Sequence, residues 1–507
     1  METKRIRWNA SYTDWLTYAA IAAGLLAVLM AFAGKKSFFS DEMDQIGILV
    51  SVRTLPELLR LYASVGHEVA PPLFAALAWV WYRIVPYGQA WLQLLPALLT
   101  CLGVYVVGLS GRACGGRRMG VLAALFALAS PAVALTAGMQ LRQYCVLFLC
   151  SALTTYLYVL RNNARKAEKW SVLVLYGVAM AGLPYTHYVS VLLPVAFFLL
   201  DVVLLFAGRI RARCLWSYAI GGGLFLPWGL SILRSVASRS EFWIDKPRLA
   251  DLPEALRFLT DGGGALYHLF LLGCCIALAV FIRACLTRTP LERANAFPFM
   301  LACVPYFVIG CVFVYSAYLS EQISLFLPRY FICVIPVILL TAAYAAERLF
   351  ALLLHGHART AAATATLSLC LFVAAAAGLR VAKTVREDVG TVYEPYREAA
   401  DWLSERADIH DGNVAVVTSN LSAYVTKGWE AYYVTRGGQR ASFPIFDYAR
   451  AFTEAEAATY DVVYAFVEHA ALPERTQALL NACYRPDPGC MDGMQWRVTR
   501  YVLASDG

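Results

Sequence analysis

Over most of the first 380 positions, apolar residues fall in continuous runs near 20 residues long, separated by short polar segments. A helix rising ~1.5 Å per residue needs about 20 such residues to cross ~30 Å of hydrocarbon. The pattern predicts eleven spans, near 15–34, 90–110, 119–137, 143–160, 170–183, 191–207, 215–233, 265–282, 297–317, 330–346 and 361–381. Runs such as Leu16 to Ala33 and Cys101 to Leu109 exclude an outer-membrane barrel, whose strands alternate apolar and polar over ~10 residues. A further run at 71–86 opens with Pro71-Pro72, carries Arg83 and would reach only ~24 Å, so it reads as a juxtamembrane or re-entrant helix. Beyond about residue 384 the period changes. Tyr396 to Arg406 is helical, with Trp402 and Leu403 on it, while Val414 to Thr418, Tyr460 to Val467 and Trp496 to Leu503 read as strands. Alternating strands and helices imply a small α/β domain.

Composition agrees: of 507 residues 60% are hydrophobic and 15% charged, against roughly 25% charged in a soluble domain. The fold class expected is therefore a polytopic α-helical membrane protein with about eleven transmembrane helices and a small C-terminal α/β domain. The net charge of +8 sits in short loops, which is an insertion pattern rather than a nucleic-acid footprint. If 71–86 does not cross, one set of loops holds 18 Lys and Arg in 62 residues and the other 12 in 111. The positive-inside rule then puts the N-terminus in the cytoplasm and everything after about residue 383 outside, at the inner or plasma membrane. Lys4, Arg5 and Arg7 precede an apolar run without a small-residue cleavage site, so it reads as an uncleaved first helix. Two domains follow: 1–383, the spanning domain with outer loop 35–89, and 384–507, extracytoplasmic. Twelve of fourteen cysteines lie in or beside apolar runs. The other two, Cys483 and Cys490, flank a Pro-Asp-Pro-Gly turn and form a disulfide candidate in an oxidising compartment.

Candidate chemistry gathers on the outer face. Asp41, Glu42 and Asp44 follow the first span directly, and three carboxylates in four residues beside a membrane are costly unless used or solvated. The same loop continues with an amphipathic stretch (Leu55, Leu58, Leu59, Leu61), then His67, Glu68 and Pro71-Pro72-Leu73. The connection between spans three and four carries Gln140-Leu141-Arg142-Gln143-Tyr144, and span ten opens with Pro328-Arg329-Tyr330. An arginine at a span mouth commonly snorkels to headgroups. Thr186-His187-Tyr188 is a fourth outer cluster, in which His187 alone reads as a structural histidine.

This ordered set over about residues 10 to 350 resembles the family 39 and aminoarabinose-transferase-like branch of polyprenyl-phosphate-sugar glycosyltransferases, of the GT-C membrane fold, the branch that includes the protein-mannosyltransferase-like enzymes. The resemblance rests on an Asp-Glu pair after the first helix, a Pro-Pro-Leu about 30 residues later, Arg-x-Tyr after span three, Thr-His-Tyr, Pro-Arg-Tyr, and Glu241-Phe242-Trp243-Ile244 followed by Leu252 to Leu259. It departs at Val69 and Ala70, which separate Glu68 from the Pro-Pro pair, and at Gln140, where an acid is common in the family. The resemblance implies a GT-C-like fold and transfer of a hexose or pentose from a polyprenyl-phosphate donor to a hydroxyl of a lipid, glycan or protein acceptor, with inversion. Phosphate is a good leaving group, so the chemistry asks mainly for a base and cations. Asp41 is the expected base, with Glu42 orienting it or the sugar. Arg142 and Arg329 would hold the donor phosphate, aided by Tyr144 and Tyr330. Asp44, His67, Glu68, His187 and Trp243 are further candidate substrate contacts. No cofactor is required on this reading. Mg²⁺ or Mn²⁺ is compatible with the hard ligands of the loop, although no compact ligand spacing or zinc motif is present. Three rival readings are a transporter or flippase, for which Asp201 within an apolar run would be the mark, a polymerase or ligase of lipid-linked glycans, and a scaffold displaying the outer domain.

Overall fold

The structure is a computed structural model that describes the chain apart from residues 1–11, 65–70, 164–168, 209, 237–243, 288–296, 322, 354–358, 392–393, 407–412, 420–422, 435–442, 449, 469–470, 493–495 and 505–507. By contacts the chain divides into two compact units, one of Met1–Ala33, Leu59–Leu77 and Gln89–Asp388, the other of Gly34–Leu58, Ala78–Gly88 and Val389–Gly507. The sequence reading joined loop 35–89 to the spanning domain, whereas by contact much of that loop groups with the C-terminal residues.

In the first unit helices cover all eleven expected spans. Among the described residues seven are long and apolar enough to cross a membrane: Tyr12–Phe32, Gln89–Gly115, Tyr144–Asn162, Tyr188–Phe206, Ala265–Leu286, Pro298–Leu319 and Pro328–Leu353. Two of the other expected spans are short. Pro131 has no N–H to continue the ladder, so the run 119–137 breaks into Arg117–Ala129 and a π turn, Ala132–Ala137. Trp170–Gly182 has 13 residues and measures ~20 Å. The run at 71–86 forms one helix, Pro72–Ile84.

The Pro328–Leu353 segment is the middle of this bundle, with 89% of its apolar window buried against 17% for Ala265–Leu286. Close helix contact depends on small residues, as expected where packing rather than water exclusion holds helices together. A methyl group on Gly120 would strike the Tyr18 hydroxyl, and one on Gly103 would lie 2.6 Å from the Phe148 ring. The carboxylate within the apolar run 191–207, Asp201, is paired. The buried Arg161 guanidinium binds it, the Tyr218 hydroxyl donates to it at 2.6 Å, and the rings of Tyr158 and Tyr176 lie 5.2 and 5.0 Å from the guanidinium carbon.

The second unit is built on a five-stranded sheet of order β2-β1-β3-β5-β4, with β1 Val414–Thr418, β2 Ile445–Phe446, β3 Val462–Glu468, β4 Tyr484–Asp492 and β5 Trp496–Leu503. The first three strands pair in parallel, and β5 joins β3 and β4 antiparallel. β1 is buried along its whole length, as a central strand covered on both faces must be. One face packs Ala415, Val417, Val463 and Ala465 against Phe446, Phe452, Leu472 and Leu480. On the other, Tyr464 meets Trp402 edge-on at 5.7 Å, and Phe466 meets Tyr396 and Trp429 at 5.7 and 5.2 Å.

The expected Cys483–Cys490 bridge is corrected here: both cysteines are free thiols. The Pro-Asp-Pro-Gly segment forms an irregular stretch of edge strand rather than a turn that brings the cysteines together. Tyr484, the residue after Cys483, pairs with Leu503 and Cys490 with Thr499, positions about 13 Å apart along the partner strand, well beyond the ~7 Å that a disulfide spans between Cα atoms. The two prolines are tolerated because β4 is an edge strand that carries a register shift between Pro486 and Cys490.

Candidate functional site

Each unit holds part of the candidate chemistry. In the second unit the acidic residues open a helix, Ser40–Ser51, that immediately follows the extended Ser37 to Phe39. Carboxylates in a first turn are favoured by the helix dipole. Glu42 is buried and its Oε2 accepts from the Phe39 N–H at 3.2 Å, so it caps the helix. Asp41 and Asp44 are half-buried on the same helix. The entry to the helix is held by residues whose part the sequence reading missed. The Ser40 N–H donates to Glu394, and the Ser40 hydroxyl to its Oε1 at 3.2 Å. Arg397 donates to the Gly34 and Lys35 carbonyls at 2.6 and 2.7 Å, and the Phe38 N–H donates to the Tyr433 hydroxyl at 3.1 Å. The helix itself crosses Ala423–Trp429 at glycines: a methyl group on Gly47 would collide with the Tyr424 carbonyl, and one on Gly428 with that of Met43.

The first unit gathers five of the expected residues from three separate loops. Arg142 ends a turn after the π segment, and Tyr144 begins the helix Tyr144–Asn163. His187 follows a tight turn in which the Thr186 and His187 N–H groups donate to the Leu183 carbonyl at 2.8 and 2.9 Å, and the Thr186 hydroxyl donates to the Gly182 carbonyl at 2.6 Å. Arg329 and Tyr330 open a 3₁₀ segment, Pro328–Val334, whose remaining side chains Phe331, Ile332, Cys333 and Val334 are buried and anchor it. The His187 and Tyr330 rings lie 4.3 Å apart, the Tyr144 ring stacks 6.4 Å from His187, and the Arg329 guanidinium carbon lies 6.0 Å from the Tyr144 ring. Burial and then the nearby Arg142 and Arg329 charges push the His187 imidazole down to about 3, which keeps it neutral. Two guanidiniums therefore act on one buried, neutral imidazole between two phenol rings. Such an arrangement suits an anion with several acceptor oxygens.

His67, Glu68 and Trp243 lie outside the described residues. Among the described residues no three His, Cys, Asp or Glu side chains converge on a metal-sized site.

No family model matches the chain, and no curated protein matches it in sequence. Solved structures do. ArnT from Cupriavidus metallidurans, solved with undecaprenyl phosphate, superimposes with a TM-score of 0.58 over 98% of this chain and 99% of its own, at 15% identity. The chain has the GT-C membrane fold. The apo oligosaccharyltransferase of Archaeoglobus fulgidus aligns at a TM-score of 0.54 and 11% identity, over 90% of this chain and 69% of that one. AglB from the same organism, in complex with an inhibitory peptide and a dolichol-phosphate, aligns at 0.51 and 12%, over 97% and 74%. The expected polytopic helical membrane protein with a small C-terminal α/β part agrees with this fold.

Proposed function

We propose that the chain is a membrane glycosyltransferase that moves a sugar from a polyprenyl-phosphate donor to an acceptor hydroxyl on the extracytoplasmic face, in one inverting displacement. The observation that carries the reading is the convergence of Arg142, Arg329, Tyr144 and Tyr330 around a neutral His187. The likeness in fold to a protein solved with undecaprenyl phosphate supports it.

In this reading Asp41 takes the proton of the acceptor hydroxyl as its oxygen forms the new bond to the anomeric carbon, while the bond from that carbon to the phosphate oxygen breaks. Polyprenyl phosphate leaves as an anion. Arg142 and Arg329 hold its oxygens by charge-assisted bonds that strengthen as charge develops there, and Tyr144 and Tyr330 orient them or donate to the phosphate. Glu42 fixes the start of the helix on which Asp41 stands. The donor tail stays in the bilayer, the N-terminus lies in the cytoplasm, and no metal is needed because the guanidiniums supply the charge. The transporter reading loses its main mark, since Asp201 is held by Arg161 and Tyr218.

The test uses the purified full chain with a panel of labelled polyprenyl-phosphate sugars and a membrane extract as acceptor. Release of polyprenyl phosphate is expected to match acceptor modification, and Asp41→Asn to slow both about 10²- to 10⁴-fold with an unchanged melting temperature. Full activity in Asp41→Asn overturns the base assignment, and no release from any donor overturns the transferase reading.

A further inference from the structure

The helix Ser40–Ser51 begins without a cap of its own. Phe39 stands at the N-cap with an extended backbone and offers no side-chain acceptor, where serine, threonine, asparagine or aspartate would ordinarily accept from the first turn. An acceptor comes instead from Glu394, 354 residues further along the chain. Its carboxylate takes both donors of Ser40, the main-chain N–H through Oε2 and the hydroxyl through Oε1 at 3.2 Å. A carboxylate there meets the positive end of the helix dipole, and bonds to an ionised acceptor are roughly twice as strong as neutral ones. Ser40 is the residue directly before Asp41.

The chain leading into the helix is held from the same side. Arg397 takes the Gly34 and Lys35 carbonyls with its guanidinium, and its main-chain N–H donates to the Ser37 hydroxyl at 3.1 Å. The Phe38 N–H goes to Tyr433. The body of the helix is fixed by other means: Met43, Ile46, Ile48 and Leu49 are buried, and Gly47 and Gly428 let it cross Ala423–Trp429 in close contact. Packing therefore sets the helix axis, while Glu394 sets the first turn, in which Asp41 stands. A helix end whose orphan groups are released frays. Loss of Glu394 would free the Asp41 carboxylate to wander on a helix that stays in place.

We propose that Glu394 is a positioning residue for the transfer reaction: through Ser40 it holds the Asp41 carboxylate where the acceptor hydroxyl gives up its proton. The inference rests on the reading of Asp41 as the base. Proton transfer asks for a carboxylate within ~2.6 to 3.2 Å of the hydroxyl, and a displacement of ~1 Å costs about 10²-fold in rate. Acting through Asp41, Glu394 governs the chemical step and leaves donor binding alone.

The experiment is a double-mutant cycle on the purified full chain, reading single-turnover rates with whichever labelled polyprenyl-phosphate sugar the wild type uses. Glu394→Ala is expected to lower the rate about 10²-fold with an unchanged half-saturating donor concentration. Glu394→Gln, whose amide accepts the Ser40 N–H and donates to its hydroxyl, should restore most of the rate. In an Asp41→Asn background Glu394→Ala should have little further effect, because no base is left to place. Should Glu394→Ala not fold, the cycle is run with Glu394→Asp, whose carboxylate falls one methylene short of Ser40 and should act in the same selective way. A wild-type rate in the Glu394 variant, or an equal fold-loss with and without Asp41, overturns the proposal and leaves Asp41 as the base. Full activity in Asp41→Asn, or no release by the wild type, overturns the underlying reading and this inference with it.

Discussion

The first unit contains two buried clusters of guanidinium and tyrosine, and they are organised differently. Around Arg161 the cation meets a carboxylate: Asp201 takes the guanidinium and the Tyr218 hydroxyl, and aromatic faces close the remaining sides. Around His187 two cations, Arg142 and Arg329, act on one imidazole and keep it neutral. The first arrangement pairs opposite charges at the end of the helix Tyr144–Asn163. The second stands at a meeting of loops and concentrates positive potential between two phenol rings. Arginine and tyrosine alone do not mark a site; what the cation faces does.

Four measurements would break or sharpen that contrast. The largest effect belongs to the closed cluster. Arg161→Met leaves Asp201 buried without its counter-charge and should destabilise the protein by about 3–5 kcal/mol, read as a lower denaturation midpoint in detergent. Adding Asp201→Leu should recover most of that loss, because a matched apolar pair removes both desolvation costs; no recovery would mean that the pair does more than fill its space. Next, Arg329→Ala should lower kcat about 10²-fold, near 2.7 kcal/mol, with little change in the midpoint, and Arg142→Ala should act in the same sense. If either variant instead behaved as Arg161→Met does, the two clusters would be alike and the anion site would be lost. Third, Tyr218→Phe withdraws one donor from a buried charge and should cost about 1.5 kcal/mol.

At neutral pH the smallest effect is that of His187, which grows only as the pH falls below about 6.5. His187 is held near 3 when folded, against about 6.5 in an unfolded chain. The unfolded state therefore binds a proton between these values that the folded state refuses, so stability falls as pH drops from 6.5 toward 3. His187→Gln should flatten that slope in thermal melts taken between pH 4 and 8. Equal slopes would mean that the imidazole is not neutral in the folded protein.

The spanning helices were legible because a membrane imposes one length and one polarity on every crossing element. Arg142, Tyr144, Arg329 and Tyr330 stand out from Arg-x-Tyr and Pro-Arg-Tyr at the ends of apolar runs, where an arginine also commonly snorkels. Their approach to His187, which alone reads as a structural histidine, was not legible because it joins three distant loops. The helix Ser40–Ser51 was not legible either. Its acidic start reads as a chemical site on an outer loop rather than as a helix, and its packing depends on Gly428 and Tyr424, nearly 400 residues away. Glu394 and Arg397 were missed for the same reason, since they hold main-chain groups of residues 34–40 that a sequence pattern does not display. The strand β4 was hidden by two prolines, and the cysteine spacing suggested a bridge that an extended edge strand forbids.

The glycine crossing between Ser40–Ser51 and Ala423–Trp429 has a practical corollary for engineering. The acidic segment emerges early in synthesis, but its packing partner emerges nearly 400 residues later, so an isolated N-terminal fragment would leave the carboxylates on an unsupported helix. A chimera that replaces the chain after residue 389 must carry residues 34–58 from the same parent, or accept a side chain where two backbones already touch.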